Sequence, residues 1–249
     1  MNIVEVKDYE RMSWQAANIV MDRVLENGQL TLGLATGGTP KRMYDLLIES
    51  FKSGLGPSYE MVTTFNLDEY VGLAENDPNS YYQYMRKHLF DGINVREENT
   101  NIPSGVADDL EEECSRYEEK IVQSGGIDLQ ILGIGENGHI GFNEPGTPFD
   151  QGTHVVVLEE STRKANARYF SSLEKVPTKA ITMGIQTIMK SKEIVLLVSG
   201  KKKAEALSCL LEGEVTENFP ASILKTHPNV TIIADKVALN GVRGSFPIM

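Results

Sequence analysis

The chain has 249 residues, 41% hydrophobic and 24% charged, with a formal net charge of -11 at pH 7. Such a length and balance can bury one substantial core, and the acidic excess argues against a general nucleic-acid binder or a basic module lying on a membrane. Cys114 and Cys209 stand far apart without a CxxC, and His88, His139, His154 and His227 lack ligand spacing, so neither a disulfide framework nor a metal site is expected.

The first strand is read at Asn2 to Val6. Glu5, Lys7 and Asp8 stand where a secretory signal would be apolar, and no apolar run reaches membrane-spanning length, so a cytoplasmic protein without a membrane partner is expected. Asp8 then caps a helix in which Tyr9, Met12, Ala16, Ile19, Val20 and Val24 recur at helical spacing, closed by Asn27-Gly28. Trp14 is assigned to the core with that stripe. Leu30 to Ala35 reads as the second strand, followed by Thr36-Gly37-Gly38-Thr39-Pro40 and a helix to about Ser53, with Thr39 as its expected cap. A strand, a glycine turn and a helix N-terminus can hold an anion on free N–H groups. The spacing is neither a Walker motif nor GxGxxG, and a plain tight turn would account for it nearly as well.

Met61 to Asn66 is the third strand, and Asp68-Glu69 follows at its carboxyl end, where ligands bind in open α/β sheets. Neighbours on an extended segment point to opposite sides, so one carboxylate can face a site while the other pairs structurally. Asp77-Pro78-Asn79-Ser80 starts a helix whose Tyr81, Tyr82 and Tyr84 read as packing. After a loop over 92–105 comes an acidic helix, Asp108 to about Ser124; Asp109, Glu111, Glu112, Glu113, Glu118 and Glu119 read as a solvated face. The apolar run Leu129 to Ile134 then feeds GIGENGHIGFNEPGTPF (133–149). Asn137, His139, Asn143 and Glu144 are interleaved there with Gly135, Gly138 and Gly141. A histidine beside a carboxylate in such a loop suits proton transfer.

His154 to Leu158 reads as a strand, Ser161 to Tyr169 as a helix with Arg163, Lys164 and Arg168, and Ala180 to Gly184 as the lead into another short helix. Glu193 to Val198 is a strongly apolar strand. Ser199-Gly200-Lys201-Lys202-Lys203 and a helix through Leu211 follow, a second candidate anion site or a solvated lysine run. Val230 to Ala234 is the last strand, and the tail after Lys236 reads as short and irregular. Strands alternating with helices predict one α/β domain over 1–249, a mainly parallel sheet with helices on both faces and right-handed crossovers. Sites belong at the strands' carboxyl ends, where all the unusual loops fall.

Five blocks together, LATGGTP (34–40), NLDEYVGL (66–73), GIGENGHIGFNEP (133–145), TRKANARYF (162–170) and SGKKKAEAL (199–207), resemble the glucosamine-6-phosphate deaminase family. The resemblance runs through nearly the whole chain. It implies a modified Rossmann-like fold and conversion of glucosamine 6-phosphate to fructose 6-phosphate and ammonia, with no organic cofactor and no catalytic metal. By position, Asp68 matches the base that moves a proton between C2 and C1, and His139 the ring-opening acid/base. Glu144 and Asn137 match its partners. Some relatives carry Asp where this chain has Asn137; an amide takes no proton, so that relay rests on Glu144. Gly37, Gly38 and Thr39 match the phosphate loop, with Arg168 and Lys203 as cationic partners.

Two alternatives stand beside this reading. A 6-phosphogluconolactonase needs no C2 proton abstraction, so NLDEY with GHIGFNEP favours the deaminase. A sugar-phosphate sensor would carry a helix-turn-helix segment, and none fits before Leu30. Hexameric relatives bind an activating N-acetylglucosamine 6-phosphate through basic residues that align with His154 and Val156, and through C-terminal contacts for which the tail beyond Lys236 reads as too short. The resemblance therefore implies an unactivated enzyme, expected as a monomer with a homo-oligomer as the alternative, whose partner is a small sugar phosphate.

Overall fold

In the computed structural model, which describes residues 1–240 and 242, ten strands alternate with eight α-helices. The strands are β1 (Asn2–Val6), β2 (Thr31–Leu34), β3 (Thr63–Asn66), β4 (Asp68–Tyr70), β5 (Thr100–Asn101), β6 (Leu129–Gly133), β7 (His154–Val157), β8 (Lys179–Thr182), β9 (Glu193–Val198) and β10 (Val230–Asp235). The helices are α1 (Tyr9–Glu26), α2 (Lys41–Lys52), α3 (Tyr81–His88), α4 (Leu110–Gln123), α5 (Glu160–Asn166), α6 (Ile185–Met189), α7 (Ala204–Glu212) and α8 (Lys236–Leu239). Seven strands form one sheet in the order β1-β10-β9-β6-β2-β3-β5, and every neighbouring pair is parallel.

Burial on both faces explains why the central strands read as continuous apolar runs. Ile194, Leu196 and Val198 of β9, with Ile232 and Ala234 of β10, pack on the side of α4, α7 and α8. Val195 and Leu197 alternate to the other face, joining Leu32, Leu34, Leu129 and Ile131 beneath α1, α2 and α3. α1 is anchored at its start by the Asp8 carboxylate, which accepts from the Arg11 N–H. Its inward row is Met12, Ala16, Ala17, Val20 and Val24. Trp14, expected in the core, is instead 48% exposed under the Arg11 guanidinium. Two residues past Met12 on a helix lie on nearly the opposite side, so the stripe excludes it.

Other local expectations also change. The cap position of α2 is Pro40, with no side-chain cap, so Thr39 does not cap the helix and is left to line a cleft. Glu113 and Glu118 are not solvated: Glu113 accepts from the Ser104 N–H and pairs with Arg116, and Glu118 accepts from Thr153 and Thr187. Donors of the flanking loops and of α6 that are turned away from water need acceptors, and these two carboxylates supply them. The tail after Lys236 begins as helix α8, capped by Asp235 accepting from the Ala238 N–H. Residues 241 and 243–249 of that tail lie outside the described residues.

A second, three-stranded antiparallel sheet, β4-β8-β7, was not foreseen. Its strands are short, and in the sequence Ala180 to Gly184 reads only as the lead into a helix. One residue, Leu67, separates β3 from β4; its N–H bonds to Leu34 O and its carbonyl accepts from Met183. This small sheet is thereby fixed to the carboxyl end of the large one. Among the described residues no helix is long and apolar enough to cross a membrane.

Candidate active site

The turn after β2 is built to leave its outer face free. Gly37 sits at φ +91°, a conformation open to glycine. The Gly37 carbonyl accepts from the Tyr84 hydroxyl at 2.6 Å and the Gly38 carbonyl from the Tyr9 hydroxyl at 2.9 Å. With both carbonyls held by α3 and α1, Gly38 and Thr39 are left lining the cleft at the start of α2, whose dipole is positive at that end. A Cβ on Gly38 would come within 3.4 Å of the Tyr169 hydroxyl and 3.7 Å of an Arg168 guanidinium nitrogen. Those are ordinary contact distances, so the Tyr169 and Arg168 side chains lie directly over the turn.

Two connected chambers open there. The outer one, about 1020 Å³, is lined by Gly38, Thr39, Asn137, His139, Arg168 and Lys203 among others. The inner one, about 140 Å³, has Gly37, Asp68 and Tyr81 in its wall, and His139, Gly38 and Thr39 line both. Glu144 lines neither but stands behind Asn137 and His139. The nine residues singled out from the sequence are thus collected at the carboxyl ends of β2, β3, β6 and β9.

Asp68 and Glu69 divide as the strand geometry requires. Glu69 turns to the N-terminus of α3, where its carboxylate accepts from the backbone N–H groups of Tyr70, Tyr81 and Tyr82. Burial pushes Glu69 up to about 7 in spite of those bonds. Asp68 is buried, and among the described residues no group donates a hydrogen bond to its carboxylate. Burial first, and then the charge of Glu69, hold Asp68 well above the ordinary carboxylate range. A desolvated carboxylate without a donor, set in a cavity wall, holds a proton more tightly than one in water.

The loop after β6 supplies the second group. His139 Nδ1 lies 3.5 Å from Glu144 Oε2, at the limit of a hydrogen bond, and is otherwise buried without a partner. Asn137 Nδ2 donates to the same oxygen at 2.8 Å, while the Thr162 hydroxyl donates to Oε1 at 2.6 Å. Burial pushes the Glu144 carboxyl up, but the bonds from His139, Thr162 and Asn137 outweigh it and hold the group below its usual value. Asn143 instead serves the loop's own structure, bonding Ile140 O and Met183 O. Burial draws Lys203 below its ordinary value; Glu136 raises it, and Arg168 and Lys202 lower it further. Two crowded cations in a partly dry cleft favour an anion between them. Among the described residues no cluster of His, Cys, Asp or Glu could hold a metal ion.

Sequence reading missed Thr162, Tyr9, Tyr81 and Asn166 as cleft groups. Thr162, with Asn166, lay inside the TRKANARYF block, but nothing in its local pattern names an acceptor 18 residues away. Tyr9 and Tyr81 read as packing because both open amphipathic helices.

The description "glucosamine-6-phosphate isomerases/6-phosphogluconolactonase" belongs to a family model that matches residues 9–233. A glucosamine-6-phosphate deaminase of Halalkalibacterium halodurans is 59% identical, covering 97% of this chain and 98% of the relative. One from Shouchella clausii is 61% identical, with 96% of each covered. Among solved structures, a monomeric glucosamine-6-phosphate deaminase superposes with a TM-score of 0.95 at 52% identity, covering 97% of this chain and 100% of that one. The 6-phosphogluconolactonase of Trypanosoma cruzi shares the fold, with a TM-score of 0.76 at 22% identity. Matched from α1 to β10 and this close to named relatives, the chain belongs to the glucosamine-6-phosphate isomerase/6-phosphogluconolactonase family, on the side of its glucosamine-6-phosphate deaminases.

Proposed function

We propose that this protein is a glucosamine-6-phosphate deaminase, converting glucosamine 6-phosphate to fructose 6-phosphate and ammonia in amino-sugar breakdown. The observation that carries the reading is the unpaired Asp68 carboxylate sharing one small chamber with His139. Isomerisation needs two proton-handling groups, one for ring opening and one for C2, and those side chains suit the two tasks.

His139, oriented by Glu144, moves the proton between O1 and the ring oxygen and opens the pyranose. Asn137 holds Glu144 by a hydrogen bond and carries no proton. With the aldehyde free, the C2 hydrogen becomes acidic and Asp68 abstracts it, leaving an enolamine. Asp68 returns the proton to C1. Water then adds to the resulting C2 imine, and ammonia leaves. Gly37, Gly38 and Thr39 cradle the phosphate at the N-terminus of α2, and Arg168 and Lys203 neutralise it. No step calls for a metal or an organic cofactor.

A coupled assay tests the reading directly: purified protein with glucosamine 6-phosphate should release ammonia and fructose 6-phosphate in equal amounts. Hydrolysis of 6-phosphogluconolactone without ammonia release would point to the other arm of the family. The protein acts as a monomer, a reading supported by the monomeric solved relative. Sedimentation at assay concentration checks it.

A further inference from the structure

Glu144 is held from two sides. Asn137, from its own loop, bonds one carboxylate oxygen; the other faces α5, where the Thr162 hydroxyl donates at 2.6 Å and the Glu159 N–H approaches at 3.4 Å. A threonine inside a helix commonly turns its hydroxyl back to a carbonyl one turn earlier. Thr162 is buried and reaches across to a different element instead. The same short segment carries Asn166 into both chambers and Arg168 into the outer one.

We propose that Thr162 is a positioning residue for ring opening: its hydroxyl fixes the Glu144 carboxylate behind His139 and ties that pair to the segment bearing Arg168. The inference rests on the roles given above to His139 and Glu144. Without this donor, one oxygen of a buried carboxylate loses its shortest hydrogen bond and the carboxylate is free to swing away from the imidazole. The sign for pH follows from what faces Glu144. His139 is the ionisable side chain against it, and Asn137, Thr162 and the Glu159 N–H are neutral donors. Removing a donor favours the protonated carboxyl, so Glu144 titrates at higher pH and the acid limb of kcat moves upward.

Thr162→Val keeps the shape and deletes the hydroxyl; Thr162→Ala deletes it without new bulk and serves if the valine packs poorly. Either should lower kcat roughly ten- to a hundredfold, the scale of one hydrogen bond to a charged group. The acid limb should move up in both, with KM nearly unchanged, and Thr162→Ser should restore most of the loss. A carbon-13 titration of the Glu144 carboxyl, assigned with Glu144→Gln and recorded without substrate, should show a raised midpoint in the valine variant. If the parent released no ammonia from glucosamine 6-phosphate, the proposed function would fail while this titration still decided the role of Thr162. An unchanged Glu144 midpoint, or a valine variant with parental kcat and acid limb, overturns the proposal.

Discussion

Asp68 and Glu69 share a peptide bond and have different fates. Alternation along a strand made that division readable from the sequence; which of the two faces the cleft is fixed by α3, whose N–H groups bind Glu69. Asp68→Asn should reduce kcat by about a hundred- to ten-thousandfold with little change in KM, since an amide keeps the shape and loses the base. Weaker substrate affinity together with normal proton exchange at C1 and C2 would refute the assignment. Stability should move the other way. Because the folded state holds Asp68 above its unfolded value, the neutral form is favoured and stability falls as pH rises between the two. The asparagine variant should therefore show a higher Tm than the parent at neutral pH, a gap that closes in acid; calorimetry across pH checks it. Glu113, Glu118 and Thr162 were not legible, because their partners are brought to them only by tertiary packing.

Among the elements, the parallel strands were legible almost to the residue: a six-residue run such as Glu193–Val198 buries both faces and carries its own signature. The small antiparallel sheet was not, because three or four residues are too few for a period to show. Its attachment explains a tight glycine. A Cβ on Gly105 would lie 2.0 Å from the backbone oxygen of Tyr70 at the end of β4. Gly105→Ala should cost about 1–3 kcal/mol in urea unfolding, the scale of forced backbone shifts, and should lower kcat by disturbing the strand that carries Asp68. The glycine turn and the α7 approach predict a different signature. Lys203→Ala and Arg168→Ala should each raise KM about tenfold or more, with inorganic phosphate competing against substrate in the parent. An unaltered KM in both would place the phosphate elsewhere.

For the whole molecule, the remaining question is whether a distant site governs the cleft. His154 and Val156 lie on β7, where activated relatives are expected to carry basic residues. Burial draws His154 below its ordinary value, and its Nδ1 is engaged with Gly152 O, so at neutral pH it offers no positive charge. Neither His154 nor Val156 would supply a counter-charge to a dianion held there. Saturation by glucosamine 6-phosphate should therefore be hyperbolic and indifferent to N-acetylglucosamine 6-phosphate; a sigmoidal curve made hyperbolic by that sugar phosphate would contradict this. The exposed Trp14 has an experimental bearing on all of these measurements. It is the one tryptophan in the sequence, half in water on the outer side of α1 beneath Arg11. Its fluorescence should already be red-shifted in the native protein and change little on unfolding or on filling the cleft. An optical probe of either event has to be introduced, and the inner chamber, with Asp68 and Tyr81 in its wall, is the place to put it.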